Sequence, residues 1–102
     1  MRYYADSEGG DYIEDPTHAD LVALVRALNR EDNTFFIVFP DDDDLDWSIA
    51  VLTRRGGLGG YEIERSDSRT GENSTLPAAD PVAIATEVQA WAETTATIQN
   101  TP

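Results

Sequence analysis

Residues Thr34-Phe35-Phe36-Ile37-Val38-Phe39 form a β-branched and aromatic run that Pro40 stops, and no apolar run in the chain is longer than Phe35 to Phe39. Such a run is too short to cross a bilayer and reads as a strand placed centrally in a sheet or covered on both faces. Around one central strand a chain of 102 residues builds one core and has little room to enclose a deep cavity as well. We therefore expect a single domain over residues 1–96 and a flexible tail over 97–102. The apolar share of 40% suffices to offset folding entropy despite the high charge.

The neighbouring segments supply the partners of that strand. Arg2-Tyr3-Tyr4-Ala5 and Tyr12-Ile13-Glu14 flank a Gly9-Gly10 turn and read as a small hairpin. Trp47-Ser48-Ile49-Ala50-Val51-Leu52-Thr53 alternates large and small side chains, and Tyr61-Glu62-Ile63-Glu64-Arg65 alternates apolar with acidic ones. Gly56 to Gly60 joins these two as a hairpin loop, since it leads into a strand and not into the helix N-terminus that a phosphate cradle requires. Residues 66–79 read as a polar loop with a short edge strand near Ser74-Thr75-Leu76.

Two helices follow from caps and periodicity. Thr17 with Asp20 three residues on forms a shortened capping box ahead of Leu21, Leu24, Val25 and Leu28, which recur at helical spacing. Asp80-Pro81 starts the second helix, whose stripe is Ile84, Val88 and Trp91 with the small Ala85 and Ala92; its threonine-rich end from Thr94 is expected to fray. The resulting order is β-β-α-β-β-β-α. It predicts an α+β fold, an antiparallel sheet of about four to five strands with two helices on one face, leaving an open face that carries Glu62 and Glu64.

Twenty acidic residues against seven basic ones give a formal charge of −13. That field repels nucleic acid and anionic membranes and favours a basic partner. The absence of cysteine removes disulfides, thiolate nucleophiles and sulfur-held zinc, and Met1 to Asp6 opens without an apolar signal core, so a cytoplasmic protein is expected. Within Asp41-Asp42-Asp43-Asp44-Leu45-Asp46, Asp42, Asp44 and Asp46 match the first ligands of an EF-hand loop. The match ends there, because Trp47 stands where that loop needs glycine and Thr53 where it needs glutamate, so no metal or other cofactor is expected. His18, the only histidine, has no catalytic partner in the pattern and reads as a surface or capping residue. No catalytic site is expected.

The Tyr-rich hairpin, Thr17-His18-Ala19-Asp20-Leu21, the Phe35–Phe39 strand, the Trp47 strand, Gly57-Leu58-Gly59-Gly60-Tyr61-Glu62-Ile63 and the Trp91 helix together resemble actinobacterial immunity proteins of polymorphic toxin systems. The resemblance covers most of residues 3–93. It implies a non-enzymatic protein that binds and neutralises one cognate toxin, such as a nuclease or nucleic-acid deaminase, with carboxylates standing where phosphates would lie. The contact candidates are Asp41, Asp42, Asp43, Asp44, Asp46, Glu62 and Glu64, with Trp47 or Tyr61 as aromatic anchors although both tryptophans also fit the core pattern. The alternative is a DNA-mimicking inhibitor of host defence or restriction proteins, which would use the same acidity.

Overall fold

The computed structural model describes residues 2–42, 44–54 and 60–99, with side chains through residue 95. The chain is α+β, with strands β1 (Tyr3–Ser7), β2 (Tyr12–Glu14), β3 (Phe35–Pro40), β4 (Trp47–Thr53), β5 (Tyr61–Asp67) and β6 (Glu72–Ala78) and helices α1 (His18–Arg26) and α2 (Pro81–Gln99). All neighbouring strands are antiparallel in the order β2-β1-β3-β4-β5-β6, so the Phe35–Phe39 run lies centrally between β1 and β4.

Alternation decides which side of each strand is buried. Tyr3 and Ala5, Phe36 and Val38, Trp47, Ile49 and Val51, and Ile63 point to one face and form one cluster with Leu21, Leu24 and Val25 of α1 and Ile84, Ala85, Val88 and Ala92 of α2. Burying each large aliphatic or aromatic side chain there contributes about 1.5–3 kcal/mol. Both helices thus cover the same face. The intervening residues of β3, Phe35, Ile37 and Phe39, are only half-buried, because no described element covers the opposite face.

α1 begins as its sequence predicts: Asp20 N–H donates to Thr17 Oγ1 at 3.1 Å, and Thr17 N–H to Asp20 Oδ2 at 2.9 Å. It ends before the apolar stripe does, at Arg26, and the Asn29 side chain beyond it accepts from the Glu31 and Asp32 amides and sets a turn. Leu28 is buried although it lies past the helix. Asp80 Oδ1 accepts from Val82 N–H at 3.3 Å and opens α2. This helix runs to Gln99, well past Thr94, since no glycine or proline interrupts it and Thr95 is buried.

Residues 66–79 depart from expectation in extent: the edge strand expected near Ser74 to Leu76 is present, but it is longer and part of a full hairpin. The end of β5 and all of β6 form a hairpin, registered from Tyr61 opposite Ala78 to Asp67 opposite Glu72. Gly71, at φ 76°, closes the turn between them in a conformation that suits only glycine well. β6 is poor in strand-forming residues, and its strand character comes from pairing with β5. The hairpin loop read at Gly56 to Gly60 lies outside the described residues except for Gly60.

Candidate functional site

The open face of the sheet is composed of the residues that alternate with the core. Across β2, β1 and β3 the register sets Glu14 beside Tyr4 and Tyr4 beside Phe39, then Tyr12 beside Asp6 and Asp6 beside Ile37. Across β3, β4 and β5 it sets Ile37 beside Ala50 and Ala50 beside Glu64, then Phe35 beside Leu52 and Leu52 beside Glu62. An apolar band therefore runs from Tyr12 and Tyr4 through Phe39, Ile37 and Phe35 to Leu52. The strand positions of this face include four carboxylates, Asp6, Glu14, Glu62 and Glu64, and no basic residue.

At one end of the band the Tyr4 ring packs between Tyr12, at 5.3 Å, and Phe39, at 5.6 Å between centroids. Tyr12 is 55% exposed, unusual for so large an aromatic residue. Its hydroxyl is pushed above the usual tyrosine range, first by desolvation and then by the negative field of Glu14, Tyr4, Asp41 and Asp6. The aromatic cluster and the start of the aspartate loop therefore share one electrostatic neighbourhood.

That loop joins β3 to β4. Asp41 N–H donates to the Arg2 carbonyl at 3.1 Å, and Asp42 Oδ1 accepts from Asp44 N–H at 2.9 Å. Half-buried Leu45 packs on the core, while Asp41, Asp42, Asp44 and Asp46 are exposed. The anchored backbone thus holds several carboxylates in solvent, where their mutual repulsion is relieved by an arriving cation. Asp43 lies outside the described residues. No group of three or more histidine, aspartate or glutamate side chains suited to a metal ion occurs among the described residues.

The two expected aromatic anchors are elsewhere. Trp47 is 2% exposed, edge-on to Tyr3 at 6.2 Å and to Trp91 at 5.6 Å, because its position in the alternation of β4 faces the helices. Tyr61 is half-buried on the same side, one residue out of phase with Glu62. Neither can meet a partner together with Glu62 and Glu64, which do lie on the open face. Glu62 also sits 3.8 Å from the Arg54 guanidinium, which partly offsets its charge, and Glu64 is exposed. The aromatic residues on the open face are Tyr4, Tyr12, Phe35 and Phe39. Their signal was the alternation of Tyr12-Ile13-Glu14 and the out-of-phase half of the Phe35–Phe39 run, which reads as core until the helices are known to cover one face only.

Two other polar groupings are structural. His18 Nε2 lies 3.0 Å from Thr86 Oγ1 and links the two helices. At the sheet end nearest Thr34, a cleft of about 490 Å³ is lined by Glu8, Glu31, Arg30 and Arg54, so its acids and bases balance. The Glu8 carboxylate there is committed to the backbone N–H and hydroxyl of Thr34, at 2.7 and 2.8 Å, and these bonds hold it below the usual carboxylate range.

No family model matches the chain, and no curated protein or solved structure matches it.

Proposed function

We propose that this chain is a non-enzymatic inhibitor that binds a basic protein on its open sheet face, as an immunity protein binds its cognate toxin. The observation that supports this reading is the Tyr4–Tyr12–Phe39 cluster, half-buried at Tyr4 and Phe39 and exposed at Tyr12, set among carboxylates on a face that carries no basic strand residue. An exposed aromatic patch supplies affinity at an interface, and surrounding charge supplies steering and partner choice. A surface that imitates DNA alone needs spaced charge and no apolar centre, so the patch favours a protein inhibitor over a pure DNA mimic. The immunity role itself rests on the resemblance of the sequence pattern.

The test uses the tagged chain as bait in lysate of its native host at low and high salt, followed by binding measurements on the purified partner. A basic partner is expected. Tyr12→Ala should weaken its binding at least tenfold, by the usual cost of truncating a central aromatic anchor. Asp41→Asn together with Asp42→Asn and Asp44→Asn should slow association and flatten its salt dependence. A partner whose binding ignores both variants, or one that is acidic, would refute the proposal.

A further inference from the structure

Among the described residues, β6 ends the sheet on one side and pairs only with β5. The opposite edge, β2, spans three residues and stops at Asp15, whose φ of 46° turns the chain. β6 spans seven. Sheets guard a long edge with proline, bulges, inward charge or a covering element, because its unpaired backbone groups accept another strand. β6 has Pro77 near its C-terminal end, and from Glu72 to Leu76 its register with β5 runs without a bulge.

Beside this edge, a groove of about 440 Å³ separates β6 from α2. Ile63, Leu76 and Ala78 line it from the sheet, and Ala83 and Ile84 from the helix. Leu76 stands opposite the buried Ile63 and so on the helix side, yet it is 39% exposed, because α2 does not extend over it. The groove also meets Asp80 and Glu87. Glu87 and Glu72 flank the Arg65 guanidinium at 3.8 and 3.7 Å, so two carboxylates face one cation and negative charge remains.

We infer that β6 and this groove receive an extended segment of a partner protein that sets an apolar residue and lysines or arginines at every second position, all on the face turned toward α2. The segment adds a seventh strand along the edge from Glu72 to Leu76, where main-chain bonds supply affinity and alternate side chains supply specificity. One apolar side chain enters the groove beside Leu76, and cations meet Glu72, Asp80 and Glu87. A second copy of this chain fits poorly. Antiparallel self-pairing about the centre of β6 brings Glu72 of each copy toward Ala78 and Asp80 of the other, between two molecules of charge −13. This surface is separate from the open face and stands or falls without it.

A displayed library of random peptides about twelve residues long, selected on the full chain, tests the inference. Enriched peptides should carry an apolar residue and basic residues two or four positions apart and slow amide exchange in β6. A synthetic copy should lose about tenfold in affinity when alternate amides are N-methylated, which preserves its charge, and equally on Ala83→Trp, which fills the groove from an exposed helix position. Tyr12→Ala should leave that affinity unchanged. Failure to enrich peptides of that spacing, protection elsewhere than β6, or indifference to both N-methylation and Ala83→Trp overturns the inference. A peptide lost on Tyr12→Ala instead belongs to the open face and overturns this inference while supporting that one.

Discussion

Tyr3→Phe isolates a single hydroxyl that fastens the first strand to the last helix. The Tyr3 ring is 3% exposed and remains in the substitution, but its O–H donates to Glu93 Oε1 at 2.6 Å, while Arg2 donates to Glu93 Oε2 at 2.6 Å. A hydrogen bond to a charged group contributes about 1.5–3 kcal/mol. The Glu93 side chain is 43% exposed and keeps Arg2, so solvent screening reduces the expected cost to about 1 kcal/mol. For a domain of this size that lowers Tm by about 4–8 °C. The pH dependence adds a second check. The Tyr3 hydroxyl, and after it Arg2, holds the Glu93 carboxyl below its usual 4.5. Its contribution is thus present above that value and lost as pH falls through the lower folded-state value. Burial and then Glu93 push Tyr3 above its usual 10.0, so the tyrosine's contribution is present below pH 10.0 and lost as pH rises toward the folded-state value. Thermal melts of wild type and Tyr3→Phe should therefore differ most near neutrality and converge at both extremes. A cycle with Glu93→Gln should return a coupling of about 1 kcal/mol. A stability difference that is constant from acid to alkaline pH, or no coupling in the cycle, would refute the reasoning.

Two further changes probe the connections. Asn33 is 8% exposed, accepts from Gly9 N–H at 2.9 Å and donates to the Ala27 carbonyl at 3.1 Å, so Asn33→Ala should cost about 1–3 kcal/mol in denaturant titration by stranding both backbone groups. Gly60 has φ 72°, and a Cβ there would stand 2.9 Å from the Ala78 carbonyl oxygen. Gly60→Ala should thus destabilise the chain by about 1 kcal/mol or more, visible as a lower urea midpoint, whereas Gly71→Ala meets no neighbour and should cost less.

How far the sequence reveals the fold depends on whether the signal is local. The capping box at Thr17 and Asp20, the Asp80 start and the alternation of Trp47 to Thr53 depend on neighbours in sequence, and all three were legible. β6 was legible only near Ser74 to Leu76, because Glu72, Asn73 and Pro77 resemble a loop until β5 supplies the ladder. The site divided in the same way. Placement of Glu62 and Glu64 on the open face, and exposure of Asp41, Asp42, Asp44 and Asp46, followed from their polarity, but Trp47 and Tyr61 fell on the wrong side because alternation fixes relative faces and not which face the helices cover. Phe39 and Tyr4, read as core or hairpin, lie half-buried on the open face for the same reason.

The aromatic cluster has one more consequence, set by where its members come from. Tyr4 and Tyr12 belong to the N-terminal hairpin, and Phe39 opens onto the same patch from β3, the first strand of a meander in which every sequential neighbour is a spatial one. The patch therefore straddles the seam between the hairpin and the meander and exists only where the two are paired. A ligand seated across it acts as a splint. By linkage, its binding free energy is added to the seam's resistance to local opening, so the β1–β3 ladder should be where occupancy slows amide exchange most.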